Sequence, residues 1–262
     1  MLQIKNLYKV FNKGTVNENV LFNNFNLKVE EGDFISIIGS NGAGKSTLLN
    51  IVSGNIDLTE GSIILNGSEI SRLPEYKRTK QIGRVFQNPS LGVSPNMTIL
   101  ENMSMAYNKG KKFNFSFAIN KNNINMFKET LSKLNIGLEN KLHNKVGLLS
   151  GGQRQALSLI MAVMAKPKLL LLDEHTAAID PKTSEIIMDI TSDIVEKNKI
   201  TTLMVTHNLN DAIKMGNRLI MIHKGQVVMD IRGNEKKNLT ADKLLDEFKK
   251  LENAISDSVL FA

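Results

Sequence analysis

The 262-residue sequence has no cysteine and no tryptophan, only 5 prolines, and aromatic residues make up just 5% of it. Without cysteine, disulfides, thiolate metal sites and a cysteine nucleophile are excluded, and a reducing cytosol is the ordinary expectation for such a chain. Long apolar runs are missing too. The strongest, Phe34–Ile38 and residues 169–172, fall far short of the ~20 residues a membrane-spanning helix needs. The amino terminus, MLQIKNLYKV, lacks the apolar stretch of a secretory signal, so no leader is expected. Nor is there a long run of one charge sign. The net charge is +7, but lysines are scattered along the chain, so no dedicated nucleic-acid surface and no nucleic-acid partner are expected.

What is present reads as a folded α/β chain. Hydrophobic residues make up 42% and charged residues 23%, ordinary values for a globular protein. The length suits one large domain, or one domain carrying an inserted subdomain. Short strands are expected where Leu2, Ile4 and Leu7 alternate, over residues 21–29, and over the β-branched run Phe34–Ile38. Further strands are expected over residues 61–66, 168–173 and 201–206, and over 218–231 with a hairpin at Lys224-Gly225. Helices are expected over 45–52, closed by Gly54, and after Asp180 as N-cap with Pro181 at the first position, followed by a stripe at Ile187, Ile190 and Ile194. Residues 89–165 change character: 101–107 and 122–134 read as helices, and 109–125 are rich in Lys, Asn and Phe without a clear pattern. One short amphipathic helix is expected near 240–251.

The chemistry is concentrated in four short segments. Gly39-Ser40-Asn41-Gly42-Ala43-Gly44-Lys45-Ser46-Thr47 places two glycines around four residues, then Lys and Ser, between a buried strand and a helix. That is the phosphate-loop pattern in its proper context. The glycines let backbone N–H groups turn toward phosphates, Lys45 supplies charge to the β and γ oxygens, and Ser46 offers a hydroxyl to Mg2+. A nucleoside triphosphate is therefore the expected ligand. The strand Lys168-Leu169-Leu170-Leu171-Leu172 ends in Asp173 and Glu174; the first acid suits Mg2+, the second an attacking water. In Leu149-Ser150-Gly151-Gly152-Gln153, Ser150 and Gln153 have capping-box spacing, and the glycines behind the cap leave helix N–H groups bare for an anion. His207 follows the strand that ends in Val205-Thr206.

Taken in this order, the segments resemble the ATP-binding cassette (ABC) family, over roughly residues 1–232. The resemblance implies a phosphate-loop ATPase core with an inserted helical subdomain and an N-terminal antiparallel β subdomain: core residues 1–88 and 166–232, helical subdomain 89–165, and a helical tail 233–262. It implies that Ser150, Gly151, Gly152 and Gln153 form the signature that covers a partner's nucleotide. Gln87 matches the Q-loop glutamine that contacts Mg2+ and water, and His207 the switch histidine. Asp180 lies in the D-loop run Ala177-Ala178-Ile179-Asp180, where relatives often carry Ser and Leu at the first and third positions. Phe11 matches the adenine-stacking aromatic, with Tyr8 as the weaker candidate. His175 stands where many relatives have proline.

The family's arrangement implies a head-to-tail homodimer that hydrolyses ATP with Mg2+. With no membrane span of its own, the chain is expected at the cytoplasmic face of the membrane, driving separate permease subunits supplied by a separate substrate-binding protein. Residues around 87–105, with Phe86, Leu91, Val93 and Met97 expected exposed, would receive the permease. The runs Gly83-Arg84-Val85-Phe86-Gln87, Asp173-Glu174-His175-Thr176 and Asn96-Met97-Thr98 resemble bacterial importer ATPases, some of them associated with aromatic amino acids. The alternative is a soluble ABC ATPase acting in iron–sulphur assembly or on ribosomes or DNA.

Overall fold

A computed structural model describes residues 1–111 and 121–260; part of the Lys-, Asn- and Phe-rich stretch 109–125 thus lies outside the described residues. In chain order, strands β1 (Leu2–Phe11) and β2 (Asn19–Val29) precede β3 (Phe34–Ile38) and helix α1 (Lys45–Ser53). Next come β4 (Glu60–Leu65), β5 (Ser68–Glu69), α2 (Glu75–Arg78) and β6 (Ile82–Val85). Helices α3 (Ile99–Asn108), α4 (Ile124–Ser132) and α5 (Gly151–Met164) follow without an intervening strand among the described residues. The chain then alternates through β7 (Leu169–Asp173), α6 (Pro181–Asn198), β8 (Thr201–Val205) and α7 (Leu209–Lys214). It ends with the hairpin β9 (Arg218–His223) and β10 (Gln226–Arg232), then α8 (Gly233–Lys237) and α9 (Ala241–Leu260).

These strands form two sheets. One is antiparallel, ordered β2-β1-β4-β5; the other is ordered β10-β9-β3-β8-β7-β6 and is parallel except for the β10 edge. The larger sheet is apolar on both faces, as a parallel sheet covered on both sides requires. Ile35, Ile37, Leu169, Leu171, Leu203 and Val205 pack with α1 and the antiparallel sheet, while Phe34, Leu170, Leu172 and Met204 pack with α5 and α6. A separate cluster gathers α3, α4 and α5 around Phe127, Leu131, Leu149 and Leu157.

Two expectations need amending. Strand β6 has four residues, Ile82, Gly83, Arg84 and Val85, too few and too mixed for alternation to show. The tail helix runs to Leu260, well past residue 251, and α8 precedes it.

Two buried arginines hold the layers in place. Arg218 donates from Nε and Nη2 to the two carboxylate oxygens of Asp230 at 2.7 and 2.6 Å, and from Nη1 to the Lys28 carbonyl at 2.7 Å and Asp33 Oδ2 at 3.3 Å. It therefore joins β9 and β10 to the end of β2. Arg78, 2% exposed, donates to the carbonyls of Leu73, Ile51 and Ser71 at 2.7, 2.8 and 2.8 Å, with Val52 O at 3.3 Å. Ile51 and Val52 lie in the last turn of α1, so Arg78 supplies donors to carbonyls at the helix end and fixes the far end of the helix that begins at Lys45. Arg78→Met should lower unfolding stability by ~3 kcal/mol or more, because several buried carbonyls lose their donors together. Arg78→Lys should recover little, since an ammonium cannot reproduce the planar fork. Urea unfolding midpoints of the two variants check this.

Candidate functional site

The parallel register puts four strand ends side by side. Ile37 on β3 and Asp173 on β7 both lie level with Val205 on β8, and Val85 on β6 lies level with Leu172. The segments that follow these strands, namely Gly39–Gly44 as a loop, Glu174, His207 and Gln87, therefore leave the sheet at one edge.

The loop wraps tightly because its glycines are forced. Gly39 has φ 152°, and a Cβ there would come within 2.0 Å of the Ile222 carbonyl on β9. Ser40, Asn41, Gly42 and Ala43 complete the turn, and Gly44, in the left-handed region, caps α1 with no side-chain bond. The first N–H groups of α1 are thus not occupied by a side-chain cap, the arrangement that suits an anion. Lys45 opens the helix, is 7% exposed and donates through Nζ to the carbonyls of Gly39 at 2.8 Å and Ser40 at 3.0 Å. Burial pulls its ammonium below the usual lysine range, against the opposing pull of Glu174 and then Asp173. Ser46 Oγ donates to Asp173 Oδ1 at 2.8 Å, and Thr47 is half-buried beside it.

Glu174 gathers the other groups. Its Oε2 accepts from Gln87 Nε2 at 3.0 Å and lies 3.5 Å from His207 Nδ1. Its backbone N–H donates to Val205 O at 2.9 Å, yet its φ is 43°, a left-handed value for a residue with a side chain. A groove of about 220 Å³ opens alongside, lined by Glu174, Thr206, His207 and residues of the 176–181 segment. His175, next in sequence, is turned inward: it is buried and its Nε2 meets Thr191 Oγ1 at 3.2 Å. Burial pushes its pKa down to about 4, so the imidazole is neutral at physiological pH.

Arg84 is a site residue that the sequence reading did not single out. Its Nη2 donates to Asn50 Oδ1 at 2.6 Å and lies 3.5 Å from Asp173 Oδ2; its Nη1 donates to Ser53 Oγ at 3.0 Å. Its guanidinium also sits 4.4 Å above the Phe86 ring. Arg84 thereby joins β6 to α1 and to the carboxylate beside Ser46. No local pattern marks it: its strand carries no period, and the partners that such a buried charge needs lie at Asn50, Ser53 and Asp173, distant in the chain.

The remaining candidates stand apart from the loop. Ser150 and Gln153 make the expected capping box, with Gln153 N donating to Ser150 Oγ at 3.2 Å and Ser150 N to Gln153 Oε1 at 3.3 Å; Gln153 Nε2 also reaches Ile136 O at 3.3 Å. Gly152 is buried against α6, where a Cβ would lie 2.1 Å from the Thr183 methyl, and Gly151 faces Ile179. Asp180 N-caps α6, accepting from Thr183 N at 3.0 Å, and that bond holds its carboxyl below the usual range. Phe11 ends β1 with Lys9 Nζ 4.7 Å from its ring centre, and Phe22 on β2 packs under the loop, where its ring would meet a Cβ on Gly44 at 2.7 Å. Of the apolar residues expected to be exposed, Leu91 is, at 67%, whereas Phe86, Val93 and Met97 are half-buried. Val93 packs against the α3–α5 cluster.

Comparison with known proteins agrees with this geometry. The ABC transporter family model matches residues 22–177. A tyrosine transport ATP-binding protein of Clostridioides difficile (strain R20291) is 52% identical over 249 residues, covering 95% of this chain and 99% of its own. A phosphonates import ATP-binding protein of Lactococcus lactis subsp. lactis (strain IL1403) is 32% identical over 96% of this chain and 100% of its own. Among solved structures, an ATP-binding cassette captured as a dimer in a post-hydrolysis state with ADP and Pi aligns with a TM-score of 0.76 and 31% identity, over 88% of this chain and 98% of that one. No helix among the described residues is long and apolar enough to cross a membrane. The phosphate loop, the acids that face it and the separate signature helix thus occur in a chain that belongs to the ABC transporter ATP-binding family, a family of nucleotide-binding ATPases.

Proposed function

We propose that the chain hydrolyses ATP as one half of a head-to-tail homodimer and so powers solute import through separate membrane subunits at the cytoplasmic face of the membrane. The observation that carries the reading is the meeting of Lys45, Ser46 and Asp173 with Glu174, Gln87 and His207 at one sheet edge. Similarity to import ATPases supports the direction of transport, and the similarity to a tyrosine transport protein supports an aromatic amino acid as cargo, delivered by a separate binding protein.

In this reading the loop N–H groups and Lys45 hold the β- and γ-phosphates, with phosphate oxygens competing with the Gly39 and Ser40 carbonyls for the lysine protons. Glu174 accepts a proton from water as the water oxygen attacks the γ-phosphorus and the bond to the ADP oxygen breaks. Gln87 and His207, which flank its Oε2, keep that carboxylate in position. Ser46, Asp173 and Gln87 offer hard oxygen donors suited to Mg2+, which takes one or two carboxylates plus phosphates rather than a full protein cage; when bound, it would neutralise charge on the β and γ oxygens. Ser150–Gln153 and Asp180 bond within their own helix ends or to Ile136 rather than to the loop, so their open N–H groups serve the nucleotide of the other subunit.

Glu174→Gln should bind ATP normally, lose turnover by roughly 10²–10⁴-fold and accumulate as an ATP-bound dimer in sedimentation. Lys45→Ala should weaken ATP binding by about 10- to 100-fold, the worth of a hydrogen bond to a charged group, as read by direct titration. Ser150→Arg separates the two anion sites: ATP binding to the monomer should survive, while dimerisation in the Glu174→Gln background is lost. A stable Ser150→Arg/Glu174→Gln dimer with ATP would exclude the head-to-tail arrangement.

A further inference from the structure

We infer that His175 is a positioning residue for ATP hydrolysis: its side-chain bond to Thr191 on α6 fixes the turn that presents Glu174. The inference rests on the role proposed for Glu174 above and assigns a task to a residue that stands outside the site.

The geometry has three parts. Glu174 holds a left-handed backbone at φ 43°, a conformation that a residue with a Cβ keeps only where its surroundings impose it. Its surroundings impose it from both sides. The Glu174 N–H is tied to Val205 O at 2.9 Å, and its carbonyl accepts from Ala177 N at 3.0 Å. The next side chain, His175, is 2% exposed and reaches Thr191, itself fully buried.

The direction of that last bond is fixed by Thr191. Its hydroxyl has one proton, which it donates to the Ile187 carbonyl one turn earlier at 2.7 Å. Thr191 Oγ1 can therefore only accept at its other face, so His175 Nε2 must carry the hydrogen. The imidazole is thus locked as one neutral tautomer, with a direction and a partner on a long helix. The same helix begins at Asp180 and packs its Ile187 and Met188 into two separate cores. Thr191 is therefore a rigid post, and the chain from Glu174 to Asp180 is strung between the end of β7 and the start of that helix.

Cutting the bond removes a constraint on the peptide between Glu174 and His175 without touching the phosphate loop. Freed to relax toward right-handed backbone, Glu174 would no longer hold its carboxylate against Gln87 and His207. The loss should fall on turnover and spare ATP binding, whose groups sit on β3 and α1.

The test uses the full chain and measures kcat, KM, direct ATP affinity and thermal midpoint. Thr191→Val keeps shape and removes the acceptor; Thr191→Ser keeps the hydroxyl. Thr191→Val should lower kcat by about tenfold or more, the cost of a small misplacement of a reacting group, with ATP affinity within about twofold of the parent on the same scale of effects. Thr191→Ser should retain turnover. His175→Phe should match Thr191→Val, and the double variant should be no worse than either single, because both cut one bond. The inference is overturned if Thr191→Val turns over like the parent, if it loses ATP affinity in step with kcat, or if the two lesions add. Glu174→Gln measured alongside separates the two failures. If it abolishes hydrolysis while Thr191→Val does not impair it, the positioning role alone is wrong; if it hydrolyses ATP normally, the base assignment itself is wrong.

Discussion

Parallel strands in register must stop together, and in this chain that geometric constraint creates the site. Ile37, Asp173 and Val205 lie level across three neighbouring strands. A phosphate loop, two acids and a histidine scattered over most of the sequence therefore emerge within reach of one another. Nothing in the loops needs to find its partner by flexibility, since each side chain is delivered by a strand buried on both faces. The ordering cost is borne by the core, and the polar groups at the edge inherit their placement from it. Packing also dictates the loop's composition: with Ile222 O where a Cβ at residue 39 would lie, only glycine lets β9 sit against β3.

Charge balance at that edge follows from the same packing. Lys45, Asp173, Arg84 and Glu174 bring two cations and two anions into a half-buried space, and each is bonded to a backbone carbonyl or to a polar side chain. Arg84 makes the arrangement rigid. By holding Asn50 and Ser53 on α1 while lying near Asp173, it fixes the distance between the helix that follows the loop and the strand that bears the acids. Arg78 grips the same C-terminal end of α1 through the Ile51 and Val52 carbonyls. The phosphate-loop helix is thus clamped at its C-terminal end by two guanidinium groups, a demand on planar multiple donors that lysine cannot meet.

Much of this was legible in the sequence, and what was not has a physical reason. The phosphate loop, the acids after β7, the capping box at Ser150 and the N-cap at Asp180 are local patterns, and local hydrogen bonding fixes them. The hairpin at Lys224-Gly225 and the two-faced strands were readable for the same reason, as were the large helices. Strand β6 was not, because four residues including Gly83 and Arg84 carry no period; their strand character comes from pairing with β7. Arg84, Arg78 and the His175–Thr191 bond were hidden because each joins residues distant in the chain. Exposure was misjudged at Phe86, Val93 and Met97, where apolar character alone does not say whether a neighbour covers the side chain.

The proposed head-to-tail dimer gives each chain two incomplete sites, and the packing of α5 suits that arrangement. Gly152 is packed so closely on the Thr183 side chain that a Cβ has no room between α5 and α6, and Gln155 Nε2 donates to Phe86 O at 3.3 Å, just before Gln87. The capped end of α5 is therefore held relative to the strand that delivers Gln87, and its cap residues bond to one another and to Ile136. In the proposed dimer this end of α5 serves the nucleotide of the other subunit. One path from α5 toward the acids runs from Gln155 to Phe86 O, and from Gln87 to Glu174. In the proposed mechanism, a shift of α5 relative to β6 reaches the Glu174 carboxylate through Phe86 and Gln87.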